Sequence, residues 1–345
     1  MSESTVALRQ GWRTLGSEEA NPPEHDEFAL DVLRGLTSSP MRIPSRWLYD
    51  ARGSELFVEI TTTEEYYPTR VETSILETYA SHIAETFLWH RHLFRVIELG
   101  AGDGTKIATL LRAFLSVGLH FDFVPIDCSP KALDACVDHF SSESAFQNLS
   151  IHGLCTDYFR ALTWLNSDDH TQPNLVLFLG SNIGNLTSEE MRSFLTSLWF
   201  SLNHGDLILI GFDLVKDSNV LECAYNDISG VTRAFNLNLL QRINRELHAD
   251  FPVTDFYHHA FWNPRREQME SWLIADRDCC VKIPPIHREF SIPCNAGILV
   301  EVSRKFRPSG VSCLADEIGF RVEEQFFDLE QQFLDVLWCV QKRSF

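Results

Sequence analysis

The stretch Val96-Ile97-Glu98-Leu99-Gly100-Ala101-Gly102-Asp103-Gly104-Thr105-Lys106 constrains the fold of this chain more than any other. An apolar run ending in alternating glycines is how a strand delivers a nucleotide-like cofactor to the start of the next helix. Glycine accepts backbone angles that a Cβ forbids and lets main-chain N–H groups approach a ligand closely. About twenty residues further on, Phe121 to Asp127 reads as a second strand ending in an acid, where a ribose-binding carboxylate sits in a doubly wound sheet. The spacing G-x-G-x-G is not the dinucleotide fingerprint G-x-G-x-x-G, which weakens a hydride-transfer reading. S-adenosylmethionine, with a ribose to grip and no pyrophosphate, fits better.

The surrounding pattern alternates between strand and helix. Strands are expected at 94–99, 121–126, 149–154, 175–179 and 207–213, with helices at 106–117 and 130–140. Leu175 to Leu179 is continuously apolar, as suits a strand buried on both faces, and it ends in the glycine-bearing loop Gly180-Ser181-Asn182-Ile183-Gly184-Asn185. Ligands in such sheets bind outside the carboxyl ends of the strands, so these loops should converge on one crevice. Upstream, Phe28 to Arg34 has helical spacing that closes at Gly35, a short helix is expected at 56–61, and Pro68 breaks the chain before an amphipathic segment at 70–88. After Asp213 the alternation gives way to a mainly helical stretch at 219–247 and strand-like runs at 262–274 and 280–290.

Composition narrows the partners. A formal net charge of −19 argues against phosphate backbones and anionic membranes, which need clustered Lys and Arg, so no nucleic acid and no membrane are expected as partners. The nine cysteines form no C-x-x-C pair, and reduced thiols in a cytoplasmic protein are the expectation. The first residues lack the basic and apolar regions of a secretory signal, and the acidic segment 17–27 reads as a mobile lead-in. His90 with His92, or His258 with His259, lack a third ligand, so no metal is expected.

Further blocks carry a resemblance. Arg46 to Phe57, Glu65-Tyr66-Tyr67-Pro68-Thr69-Arg70, Phe178 to Leu186, Asp213 to Asp217, Ala224-Tyr225-Asn226-Asp227 with Gly230-Val231-Thr232, and Glu301 to Phe306 are ordered along the chain. Together they closely resemble the ergothioneine-pathway histidine N-alpha-methyltransferase family, which depends on S-adenosylmethionine. The resemblance implies an α/β fold, a Rossmann-like class I methyltransferase sheet with a second α+β domain capping the substrate. The implied division is a flexible segment at 1–17, a discontinuous substrate domain at 18–70 and 215–304, and a cofactor domain at 71–214 and 305–345. A monomer is expected, without excluding an oligomer.

The family's site residues carry over position by position. Gly100, Gly102 and Lys106 would wrap the methionine end of the cofactor, Asp127 would accept from its ribose hydroxyls, and Asp157 with Tyr158 would meet the adenine. Tyr66 and Tyr225 match tyrosines that hold the substrate carboxylate and the region near its amine, Asn185 the group that aims the amine, and Glu301 with Ser303 the pair that receives the imidazole; Tyr66 and Asn185 are the catalytic candidates, with Tyr66 or solvent to take the amine's proton. Tyr49 and Thr232 are further pocket members, and Phe57 a wall against the methyl. Where the bacterial histidine enzymes carry methionine, this chain has Ser271, which widens the expected pocket. The implied reaction is trimethylation of the α-amine of L-histidine, with tryptophan or another aromatic amino acid as the alternative substrate. An inert cofactor-binding subunit and an NAD-dependent oxidoreductase are the rivals from other classes.

Overall fold

The computed structural model describes residues 10–15, 24–87, 93–167 and 172–342. In chain order the elements are β1 (Gln10–Thr14), α1 (Glu24–Thr37), β2 (Met41–Arg42), α2 (Ala51–Thr61), α3 (Tyr67–Thr86), β3 (Phe94–Leu99), α4 (Ala108–Ser116), β4 (Phe121–Asp127), α5 (Pro130–Ser142), β5 (Ser150–Cys155), α6 (Tyr158–Ser167) and β6 (Asn174–Phe178). They continue with α7 (Ser188–Ser201), β7 (Leu207–Asp213), α8 (Ser218–Ala224), α9 (Val231–Leu247), β8 (Phe256–Asn263), β9 (Gln268–Ala275), β10 (Cys279–Ile283), β11 (Arg288–Ile292), β12 (Gly297–Arg304), α10 (Pro308–Ile318), β13 (Phe320–Phe327) and β14 (Phe333–Val340). Short 3-10 turns join several of them.

Eight strands form one sheet in the order β1-β5-β4-β3-β6-β7-β14-β13. The first six run parallel, and β14 pairs antiparallel with both β7 and β13. The order reverses at β3, which has β4 on one side and β6 on the other, so the ligand crevice of this doubly wound α/β sheet opens above β3. Alternate residues of β3 feed two cores: Ile97 and Leu99 pack with α6, α7 and α10, and Phe94 and Val96 with α3, α4 and α5. Such double coverage is why β3 and β6 are apolar throughout.

A second sheet, β2-β12-β9-β8, packs with α1, α2 and α9 around a third core. Asp50 ties this layer together. It caps α2 by accepting from the Gly53 N–H at 2.7 Å, and it accepts from Asn238 on α9 at 2.7 Å and pairs with Arg245 at 2.5 Å.

The structure departs from expectation in five places. Residues 10–14, expected to be flexible, form β1, a parallel edge strand whose polar, non-alternating sequence reflects having a single neighbour. Trp12 anchors it through Nε1, which donates to Asp134 at 2.8 Å. The lead-in is helical from Glu24 onward. Gly35 does not close α1 but lies inside it, because a Cβ there would sit 1.8 Å from the carbonyl oxygen of Arg42. Pro68 occupies the first turn of α3, where its missing N–H costs nothing, so it starts a helix instead of breaking the chain. Finally, the run 262–274 spans the turn of the β8–β9 hairpin, whose Asn263 side chain accepts from the Arg265 and Arg266 N–H groups.

Candidate active site

The carboxyl ends of β3 to β6 bring together the residues expected at a cofactor. Gly100, Gly102 and Gly104 all have positive φ, of 79°, 57° and 75°. A Cβ at Gly100 would lie 2.8 Å from Tyr158 Oη and 3.2 Å from Asn182 Nδ2, and one at Gly104 would lie 2.5 Å from the Phe140 ring. At Gly102 nothing stands within 4 Å, so the middle of the loop is an open cradle. Asp127 closes one side, accepting from the Gly102 N–H at 3.0 Å and the Ser129 N–H at 2.9 Å. Burial pushes its carboxyl up, and those two N–H groups pull the other way.

Asp157 accepts from the Phe159 and Arg160 N–H groups at 2.9 and 3.0 Å, at the start of α6. The Tyr158 ring meets Phe178 edge-on at 5.2 Å, which aims its hydroxyl at Gly100. Lys106 is paired with Glu72, a fully buried carboxylate on α3 that also accepts from the Gly180 N–H at 2.6 Å. The cofactor loop and the Gly180 loop are therefore fastened to the same side chain.

Beside this cradle lies a small, partly open cavity lined by Tyr49, Phe57, Tyr66, Asn185, Tyr225, Glu301 and Ser303, together with Pro68, Gly180, Ser181, Asn182, Asp213 and Lys305. Its walls come from distant parts of the chain: the residue capping α3, the turn after β6, the end of β7, the end of α8, and β12. The rings of Tyr66 and Tyr225 meet at 6.4 Å and those of Tyr49 and Phe57 at 5.4 Å. Burial pushes the three tyrosine hydroxyls well above their ordinary range, with the neighbouring Glu301 carboxylate adding to it. Burial likewise raises the Glu301 carboxyl to about 7, against the pull of Lys305 and the Ser271 hydroxyl.

Two expected pocket residues fall outside this lining. Thr232 is buried in the first turn of α9, where its N–H donates to Asp227 at 2.8 Å. Ser271, buried on β9, is the cross-strand partner of Glu301 and stands beside it on the same face of the sheet. Conversely, Asp213, Lys305 and Asn182 line the cavity, and Tyr67 and Lys216 back Asp213, although none was given a role from sequence. The available signal was an acid ending an apolar strand and a lysine ending a charged one. Among the described residues no group of three or more His, Cys, Asp or Glu could hold a metal ion, and His90 and His92 lie outside those residues. Burial drives the His258 imidazole down to about 4. No helix among the described residues is long and apolar enough to cross a membrane.

Comparison with known proteins adds the family. The family described as histidine-specific methyltransferase, SAM-dependent, matches residues 28–340. The histidine N-alpha-methyltransferase of Mycolicibacterium smegmatis is 39% identical over 84% of this chain and 88% of its own length. That of Mycobacterium tuberculosis is 40% identical over 83% of this chain and 87% of its own. Ergothioneine biosynthesis protein 1 of Schizosaccharomyces pombe is 30% identical over 80% of this chain and 37% of its own length. The solved CcbJ methyltransferase of Streptomyces caelestis superposes loosely, with a TM-score of 0.41 at 10% identity over 76% of this chain and 95% of that one, so the fold rests on the strand order itself.

Proposed function

The chain belongs to the S-adenosylmethionine-dependent, histidine-specific methyltransferase family, and we propose that it methylates the α-amine of free L-histidine three times, giving N-alpha-trimethylhistidine and S-adenosylhomocysteine. The observation that carries the substrate reading is the Glu301–Ser303 pair, which faces one cavity with Tyr66, Tyr225 and Asn185 beside the glycine cradle. A carboxyl and a hydroxyl offer acceptor and donor-acceptor capacity to the two imidazole nitrogens. The Glu301 carboxyl, raised to about 7 by burial, sits near the imidazole's own range, which suits a carboxyl–imidazole hydrogen bond. In this reading the residues at 18–70 and 215–304 form the substrate unit over the cofactor unit.

The cradle fits the cofactor. The loop is open around Gly102, where a Cβ would meet nothing within 4 Å, the Asp127 carboxylate beside it is an acceptor suited to ribose hydroxyls, and Lys106, held by Glu72, brings a positive charge near the loop for the cofactor carboxylate. Bound there, S-adenosylmethionine supplies an electrophilic methyl on its sulfonium. The protein's part is alignment: Asn185 aims the nitrogen lone pair, and Tyr66 and Tyr225 hold the substrate carboxylate and the region near its amine. An attack distance of about 3 to 3.5 Å is the goal of that geometry.

Glu301→Ala tests the substrate reading. It leaves the ring without a buried partner, which typically costs about 1 to 3 kcal/mol, so the specificity constant for histidine falls roughly ten- to a hundredfold. A variant that binds cofactor normally and keeps wild-type kcat/KM for histidine contradicts the assignment.

A further inference from the structure

Asp213 gathers more donors than holding a cavity wall requires. Its carboxylate accepts from Tyr67 Oη at 2.8 and 2.7 Å, from Lys305 Nζ at 2.7 Å, and from Lys216 Nζ. Lys305 Nζ also donates to Tyr225 Oη and to Ser303 Oγ, each at 2.9 Å, and Lys216 Nζ donates to Tyr67 Oη at 2.7 Å. The inner members are sealed: the side chains of Asp213 and Lys305 are each 1% exposed. Lys216, the outer member, is 10% exposed. A continuous hydrogen-bonded chain thus runs from the cavity wall at Tyr225 to an ammonium that touches solvent.

On the amine-methylation reading proposed above, such a chain has work to do. An amino acid enters as an ammonium, and its nitrogen must lose a proton before each attack. The cavity tyrosines are held protonated by their burial, and Glu301 is engaged with the substrate side chain. We propose that this proton leaves through the Tyr225–Lys305–Asp213–Lys216 chain, with Lys216 as the outer terminus that accepts it and releases it to solvent. Lys305 first gives the proton it shares with Asp213 to that carboxylate, which hands it on to the neutral Lys216 amine. The Lys305 amine then turns its freed lone pair to the Tyr225 hydroxyl and takes that proton, as the Nα–H bond breaks and a new O–H bond forms on Tyr225. Each link loses one proton and gains one, and the net change is one N–H bond broken on the substrate and one formed on Lys216.

The surroundings of Lys216 suit that end of the chain. Burial and the like charge of Lys305 push its amine down to about 8, while Asp213 and Asp328 hold it up from either side. Its Nζ also lies 3.9 Å from the centre of the Tyr67 ring. At pH 7 about a tenth of such a group is neutral and ready to accept.

Lys216→Arg separates relay from scaffold, because a guanidinium keeps the charge and the donors yet does not give up its proton. The expected result is a kcat at neutral pH lower on the order of ten- to a hundredfold, with cofactor and histidine affinities within about twofold of wild type. Wild-type kcat should rise with pH through about 8, as the neutral Lys216 amine forms, and that rise should be lost in the variant. Lys216→Ala should be partly restored by added methylamine, which a merely structural lysine does not allow. A Lys216→Arg enzyme with wild-type kcat and pH profile, or a Lys216→Ala enzyme that methylamine does not rescue, overturns the relay. Failure of the wild-type protein to methylate any amino acid overturns the underlying reading instead.

Discussion

Replacing Asp127 with alanine probes the cofactor cradle where its geometry is most explicit. The carboxylate has about four lone-pair positions. Part of that capacity is taken by the Gly102 N–H at 3.0 Å, the Ser129 N–H at 2.9 Å and Cys128, and ribose hydroxyls would use the remainder. Loss of a charge-assisted contact of this kind costs about 1.5 to 3 kcal/mol, so the cofactor dissociation constant should rise roughly tenfold to over a hundredfold. Alanine also strips two backbone N–H groups of their acceptor, which should lower the melting temperature. Asp127→Asn is the paired control: it keeps one carbonyl oxygen but turns an NH2 group toward an N–H, so it should fall between wild type and alanine in affinity. Titration calorimetry with S-adenosylmethionine measures the loss, and near-UV circular dichroism checks the fold. A folded Asp127→Ala protein with unchanged affinity removes Asp127 from the site.

Asn185→Ala should lower kcat on the order of a hundredfold with little change in cofactor affinity, since an ångström of misplacement at the amine costs about that much; lost cofactor binding with intact turnover at saturation contradicts its place beside the amine. Gly104→Ala should destabilise strongly and Gly102→Ala far less, because a Cβ meets the Phe140 ring at 2.5 Å in the first case and open space in the second; equal melting temperatures contradict this. His258 is held neutral in the fold with its imidazole near 4 against an ordinary 6.5, so the unfolded chain binds more protons between those values. Its contribution is therefore fully present above about pH 6.5 and is lost as the pH falls toward 4, and His258→Gln should flatten the stability profile across that window in denaturant titrations.

The parts of the fold that sequence reveals are those where packing on both faces leaves a continuous apolar run. Leu175 to Leu179 and Leu207 to Phe212 announce themselves in this way, and the glycines after Leu99 announce a close backbone approach. Gln10 to Thr14 does not, because an edge strand can pair its backbone with almost any side chains. Gly35 misleads for a related reason: it is demanded by the carbonyl of Arg42, a contact visible only in three dimensions. In the site, the aromatic and amide residues of the motif blocks are gathered around one cavity, whereas helix phase turns Thr232 into the packing of α9, and Ser271 stands beside Glu301 on the neighbouring strand without reaching the lining. Asp213, Lys305 and Lys216 were present in those same blocks. Their joint role is invisible in sequence because it arises from three strand and loop ends meeting at one carboxylate.

The central claim is tested most directly by offering the purified protein S-adenosylmethionine with all common amino acids in competition, then reading S-adenosylhomocysteine release and the mass of the product. The account predicts that histidine is consumed first and that its product carries three methyl groups on the α-nitrogen. Efficient trimethylation of tryptophan with histidine left untouched would contradict the assignment of Glu301 and Ser303 to an imidazole.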